Sequence, residues 1–285
     1  MLVGLLKNAF RRAPPPSVQD LFEAALTAYD SGKQQEAIRL CERALRTDPD
    51  FTPCNSLLAQ IALPGPTYTE VLAFVHEVLR PRTYMEIGVF RGKALTLARP
   101  GTRVVGVDPQ PQIPGALPPH VTVHAMTSDD YFARRDVLED LSGPIDLAFI
   151  DGLHHFEQAL RDFINVEKHC RPDSTVLVHD WYPLNRRTAE RDMKHKVAFY
   201  SGDVWRLALV LKKYRPELKL STIATAPTGL GVVRGLDPAS VVLAERYDEI
   251  VAEFKNVDYG VLDKDKAATL NLVANDWNTI RALLA

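Results

Sequence analysis

The sequence has little of what marks several protein classes at a glance. Its 285 residues include only three cysteines, Cys41, Cys54 and Cys170, widely separated and forming no CxxC pair. That argues against a disulfide framework and against a cysteine zinc site, and buried free thiols in a reducing cytoplasm are the expectation. No apolar run is long enough to cross a bilayer, so no membrane association is expected. Neither sign of charge dominates: 34 basic against 36 acidic side chains leave a formal net charge of −2. No broad basic surface follows, which argues against a nucleic-acid partner. The opening MLVGLLKNAFRRAPPPS puts apolar residues before basic ones, the reverse of a secretory signal, and residues 1–16 are expected to form a flexible N-terminus. A GxGxxG run is also missing. That spacing serves a dinucleotide pyrophosphate, so a nicotinamide-dependent oxidoreductase is disfavoured.

What is present begins with helical periodicity over residues 17–62. Ala25, Tyr29, Ala37, Leu40, Ala44 and Leu45 recur at helical spacing, with breaks at Ser31-Gly32 and Asp48-Pro49. The pattern resembles a tetratricopeptide repeat as much as it does a plain helical hairpin. A lone repeat cannot bury its own face, so packing on the next domain, a second subunit or a protein partner is expected.

LPGPTY, Leu63 to Tyr68, reads as a linker. Beyond it short apolar segments alternate with helical ones. TYMEIGV, RVVGVD, VTVHAM, IDLAFID and STVLVHD read as strands, and GKALTLAR, SDDYFARRDVLEDL and FEQALRDFINVEKHC as helices. Strands apolar throughout suit a parallel sheet covered on both faces, so the fold class is α/β, doubly wound. LKLSTIAT and GLGVVRG read as a closing hairpin whose last strand runs antiparallel. The main domain is expected over residues 66–236, followed by a helical C-terminal extension over 237–285.

In such sheets ligands bind at the carboxyl ends of the strands. Glu86, Gly88 and Gly92 lie at the first such end, and Asp108 closes the second strand. Gly88 allows a sharp turn and a close backbone approach, and Gly92 is expected near the start of the next helix, where free N–H groups meet a carboxylate. Asp108 is placed to accept the hydroxyls of a ribose. Together these features resemble the class I S-adenosylmethionine-dependent methyltransferases. The resemblance covers about residues 70–235 and implies a Rossmann-like sheet of seven strands, mostly parallel. It also implies that Glu86, Gly88 and Gly92 frame the methionine moiety of the cofactor and that Asp108 holds its ribose. Ser128 and Asp129 would touch the adenine, although either would serve equally well as a helix N-cap. Asp151 would end the fourth strand beside the sulfonium.

IDGLHHFEQALRDF and VLVHDWYP resemble a bacterial subgroup of small-molecule and sugar O-methyltransferases, some of which need a divalent cation. The residues also speak for themselves. Asp151 and Asp180 end adjacent strands and face one crevice, with His154 three residues beyond Asp151. Methyl transfer to an alcohol needs the hydroxyl oriented and relieved of its proton. His154 could take that proton as general base, with His155 and His179 as weaker candidates. A Mg²⁺ held by Asp151 and Asp180 could instead activate the hydroxyl, although Trp181 stands where relatives place a further ligand. Trp181 and Tyr182 would then be free to stack on an acceptor ring. The expected function is O-methylation of a small hydroxylated acceptor. The alternative is a helical-repeat interaction protein whose second domain binds cofactor without catalysis.

Overall fold

Ser17 starts the first helix, Val18–Asp30. Its hydroxyl accepts from the Asp20 N–H while the Asp20 carboxylate accepts from the Ser17 backbone, a reciprocal cap. The computed structural model describes residues 15–194 and 199–285, so the expectation for the N-terminus lies outside the described residues except at Pro15 and Pro16. The chain divides into two compact units, residues 1–58 and 59–285, and the division falls inside the helix Thr52–Ala62. In the first unit a turn with Gly32 at φ +75° joins Val18–Asp30 to the helix Gln34–Thr47. Small buried residues line both helices, among them Ala25, Ala28, Ala37 and Ala44, and let the two backbones lie close together. All three cysteines are free and buried, as expected.

The second unit is built on one sheet. Its strands are β1 (Thr83–Ile87), β2 (Arg103–Val107), β3 (Val121–His124), β4 (Ile145–Ile150), β5 (Cys170–Val178), β6 (Lys219–Ile223), β7 (Leu230–Arg234) and β8 (Leu272–Val273). They lie in the order β3-β2-β1-β4-β5-β7-β6-β8. Strands β1 to β5 are mutually parallel, and β7 runs antiparallel between β5 and β6. Alternate residues serve opposite faces. Met85, Ile87, Val105 and Val107 belong to one apolar cluster, Tyr84, Val104, Leu147 and Phe149 to the other. With both faces buried, the strands read as continuous apolar runs.

The sheet has eight strands, not seven. The tail, expected to be helical with a break around Asp258 to Asp265, contributes β8, which pairs parallel with β6 over Thr222–Leu272 and Ile223–Val273. The antiparallel strand β7 lies inside the sheet, between β5 and β6, and β8 covers the edge that β6 would otherwise leave open. A second correction concerns GKALTLAR, which forms a single 3-10 turn, Leu95–Leu97, and no α-helix. Gly92 is left-handed at φ +72°, and Pro100 disfavours helical backbone just before it, so both ends of the segment are held out of the helical region. The segment after β3 is likewise two short helices, Ser128–Arg134 and Val137–Leu141, because Asp136 caps the second through the Leu138 and Glu139 N–H groups. No helix among the described residues is long and apolar enough to cross a membrane.

Candidate active site

The chain leaves β1 for β2 and β3 on one side and returns to β4 on the other, so a crevice opens between the carboxyl ends of β1 and β4. Gly88 makes that crossing possible. It is left-handed at φ +85°, and a Cβ there would lie 2.0 Å from the Asp151 carbonyl oxygen. No other residue fits. Asp108, at the end of β2, fixes the same turn. Its Oδ2 accepts from the Val89 N–H (2.9 Å) and the Phe90 N–H (2.8 Å), and its Oδ1 from the Gln110 N–H (2.7 Å). A carboxylate has about four lone-pair sites, so roughly one remains for a ligand.

Glu86 and Gly92 lie behind this wall. Glu86 is buried in β1, where its Oε2 accepts from the Tyr84 hydroxyl at 2.8 Å. Burial pushes its carboxyl well above the usual range, and the Asp151 and Asp108 charges add to that. Gly92 packs against the Ile113 side chain.

Beyond β3 the helix N-cap is Thr127, whose side chain accepts from the Asp130 N–H. Ser128 and Asp129 are thus released from capping and enter a side-chain network. The Ser128 hydroxyl donates to Asp162 Oδ1 at 2.6 Å, and the Gln158 amide donates to Ser128 Oγ (3.1 Å) and to Asp162 (3.0 Å). Asp129 pairs with the Arg161 guanidinium at 3.2 Å. Burial raises the Asp162 carboxyl to about 6, held back by its Ser128 and Gln158 bonds.

Carboxylates and histidines meet at the ends of β4 and β5. Asp180 is buried and left-handed at φ +58°. His154 Nε2 lies 3.1 Å from Asp180 Oδ2 and 4.0 Å from Asp151 Oδ1. His179 Nδ1 lies 3.1 Å from Asp151 Oδ1 and 3.4 Å from Asp180 Oδ2. Burial alone would lower the His179 pKa, but the two aspartates outweigh it and hold the ring protonated well above its ordinary value. Burial would likewise raise Asp180, and the charges of His179 and His154 reverse that, so its carboxyl lies below the usual range. The oxygens of Asp151 and Asp180 and a nitrogen of His154 all fall within 4.8 Å of one another.

The tautomer of His154 decides what that cluster can do. Its Nδ1 is 2.6 Å from the Tyr200 carbonyl, which can only accept, so Nδ1 carries the hydrogen. The lone pair of a neutral ring is then at Nε2, on the side of the two carboxylates. The GDVWR segment secures this arrangement. A Cβ on Gly202 would lie 2.0 Å from the His154 carbonyl oxygen, and the Asp203 N–H donates to that oxygen at 3.2 Å. Asp203, fully buried, accepts from the Phe156 N–H at 2.6 Å and pairs with Arg191 and Arg206. Trp181 turns away from the crevice and is packed where a Cβ on Gly231 would stand 2.5 Å from its ring. Tyr182 lies under the Lys266 ammonium, 4.4 Å from the ring centroid. Neither ring faces the cleft.

One cleft of about 880 Å³ joins these parts. Gly88, Asp108, Ser128, Asp129, Asp151, His154 and Asp180 line it, and so do Gln158, Asp162 and His179. Gln158 and Asp162 carry no motif. Asp162 nevertheless sits at helical spacing among Ala159, Phe163 and Val166 on the buried face of Phe156–Glu167, and a charge on an apolar stripe is a readable signal. Tyr200, which supplies a carbonyl, leaves none.

The crevice, the carboxylate that follows the second strand and the charged cluster all lie at the carboxyl ends of the strands of one doubly wound α/β domain. Residues 85–181, from Met85 in β1 to Trp181 after β5, match the family model described as a methyltransferase domain. Among solved structures the chain resembles the O-methyltransferase TomG from Streptomyces achromogenes, crystallised with SAM (19% identity, 64% of this chain and 89% of that one, TM-score 0.44). It also resembles an O-methyltransferase from Bacillus cereus in complex with SAH (15% identity, 76% and 99%, TM-score 0.43). No curated protein matches the sequence.

Proposed function

We propose that this chain transfers the methyl group of S-adenosylmethionine to a hydroxyl oxygen of a small acceptor, of the sugar or natural-product kind, with a divalent cation at the Asp151–His154–Asp180 cluster. The observation that carries the proposal is that this cluster opens into the same cleft as Asp108, within the methyltransferase segment. The lining suits the cofactor. Five aspartates face the cleft, a field favourable to a sulfonium and an ammonium group. Gly88 and Asp151 would frame the methionine end, the remaining lone pair of Asp108 would take one ribose hydroxyl, and Ser128 and Asp129 lie where the base would end. The bound cofactor supplies an electrophilic methyl carbon: the acceptor oxygen forms the new O–C bond, the S–C pair returns to sulfur, and the hydroxyl proton leaves to solvent.

The donor set also fits a cation. Two carboxylates and an imidazole whose other nitrogen is anchored on a carbonyl are a usual arrangement for a divalent ion, with Mn²⁺ suited as well as Mg²⁺. Such an ion would polarise and orient the acceptor hydroxyl. The same geometry weakens the expectation of His154 as general base, because its free nitrogen is directed at Asp180. Beyond the site, the helices of residues 17–62 are read as a surface for a second subunit or a protein partner, in a cytoplasmic setting.

The test is calorimetric titration with S-adenosylhomocysteine, followed by turnover assays after chelation. Binding with turnover lost to chelator and restored by Mg²⁺ or Mn²⁺ is expected. Turnover indifferent to chelation would remove the cation, and absence of cofactor binding would remove the whole reading.

A further inference from the structure

The C-terminal extension carries a lysine in a place unfavourable to its charge. Lys266 opens the short helix Lys266–Thr269, and burial lowers its ammonium to about 8. Among the described residues no carboxylate offsets that burial, and the neighbouring Asp265 accepts from the Ala268 N–H. The ammonium is directed at a single turn. It donates to the Pro183 carbonyl at 2.7 Å and to the Leu184 carbonyl at 2.9 Å, and it lies 4.4 Å from the centroid of the Tyr182 ring. An ammonium has three donors, and these contacts account for them. A charge held out of water by neutral partners alone lowers stability, so its worth lies in what it holds.

That turn begins at Asp180, whose left-handed backbone persists only where its surroundings fix it. The Thr228 carbonyl accepts from the Tyr182 N–H at 2.7 Å, and Gly229 and Gly231 leave room for Tyr182 and Trp181. Lys266 adds a charged contact three and four residues past Asp180. The lysine itself stands on the sheet. Just beyond its helix the Asn271 carbonyl accepts from the Thr222 N–H at 2.9 Å, and Asn271 Nδ2 donates to the Leu220 carbonyl at 3.0 Å. The Thr222 hydroxyl donates to the Leu270 carbonyl, and the Lys212 ammonium to the Thr269 carbonyl. A run of contacts thus leads from the β6 edge through residues 266–271 to the turn that carries Asp180. Residues 266–271 lie outside the segment 85–181 that matches the family model.

Resting on the proposal above of a cation at the Asp151–His154–Asp180 cluster, we infer that Lys266 is a positioning residue for that site. Its ammonium holds the Tyr182–Leu184 turn, and through the turn it keeps the Asp180 carboxylate in ligating position. Groups that orient a metal ligand typically change metal affinity by about tenfold to a hundredfold, and Lys266, acting through backbone, belongs at the lower end.

The experiment titrates Mn²⁺ into the full chain saturated with S-adenosylhomocysteine and reads free Mn²⁺ by electron paramagnetic resonance. Lys266→Met should weaken Mn²⁺ by about tenfold. Its S-adenosylhomocysteine affinity, measured by calorimetry, should stay within about twofold. Lys266→Arg keeps the charge and a donor for each carbonyl, and its Mn²⁺ affinity should stay close to that of the parent. The sign separates geometry from charge. Removing a positive charge would by itself favour a nearby cation, so weaker binding reports a displaced ligand. Should the methionine variant fail to fold, Lys266→Gln carries the same expectation. Mn²⁺ affinity unmoved or raised by the neutral variant, lowered equally by arginine, or lost because neither neutral variant folds, overturns the inference and leaves the cation reading standing. A parent that binds no Mn²⁺ removes the cation reading and the inference with it.

Discussion

At the ends of β1 and β2, and at Asp162 on the helix Phe156–Glu167, the carboxyl groups are answered by neutral donors, whereas at the ends of β4 and β5 they are answered by imidazoles. Glu86 meets a tyrosine hydroxyl, Asp108 three backbone N–H groups, and Asp162 a serine and a glutamine. Asp151 and Asp180 share His154 and His179. Burial raises Glu86 and Asp162, while histidine charge lowers Asp180. One half of the cleft is a mould set by hydrogen bonds. The other half is a charge cluster whose state changes with a single proton or cation.

The comparison breaks most visibly at Asp180. Asp180→Asn keeps the shape and suits the left-handed backbone, since asparagine tolerates φ > 0. It removes one charge from the cluster, so turnover should fall by roughly a hundredfold or more, about 3 kcal/mol in the barrier. S-adenosylhomocysteine affinity, measured by calorimetry, should stay within about twofold. A parallel loss of binding would show that the two halves are not separable.

The neutral half should respond to pH in the opposite sense to an ordinary ion pair. Asp162 stays protonated in the folded state up to about 6, while the unfolded chain releases that proton near 3.8. Folded protein then holds more protons between these values, so stability falls as pH rises through the window and stays lower above it. Asp162→Asn abolishes that penalty. It should raise unfolding free energy by about 3 kcal/mol at pH 8 and leave it nearly unchanged at pH 4, by denaturant titration. A gain equal at both values would locate the effect in packing instead.

The smallest expected effect is at Asp108. Asp108→Ala should weaken S-adenosylhomocysteine by about tenfold, near 1.5 kcal/mol. If one lone pair serves the ribose, removing a ribose hydroxyl from the ligand should cost the parent protein affinity and the variant almost none. An undiminished penalty in the variant would confine Asp108 to holding the Val89–Phe90 turn.

The strands from β1 to β7 were legible because burial on both faces writes itself as uninterrupted apolar runs, and Asp108, Asp151 and Asp180 were legible as strand-end carboxylates. What escaped was set by distant partners. Residues 272–273 carry no strand signal and pair only because the β6 edge is there to meet them. The stretch after Gly92 has helical composition, yet a left-handed Gly92 at one end and Pro100 at the other leave a single 3-10 turn, Leu95–Leu97. Trp181 looked available to a ligand, yet Gly231, some fifty residues away by sequence number, clears the space that buries it. The Tyr200 carbonyl that fixes the His154 tautomer belongs to the backbone, which no residue type announces.

The strand β8 also sets the order in which the molecule can be made. Its two residues cover the β6 edge, and the helix Trp277–Leu284 follows, with Trp277 4.7 Å from Phe74 and Arg281 over the same ring at 5.1 Å. Phe74 belongs to the helix Tyr68–Leu79, which opens this unit and brings Tyr68 to 4.7 Å from His179. On a ribosome, that first helix must wait for residues some two hundred positions later to emerge, and the open edge of β6 for residues some fifty positions later. A chaperone that shields one exposed edge during that interval would be protecting the unit at its weakest moment.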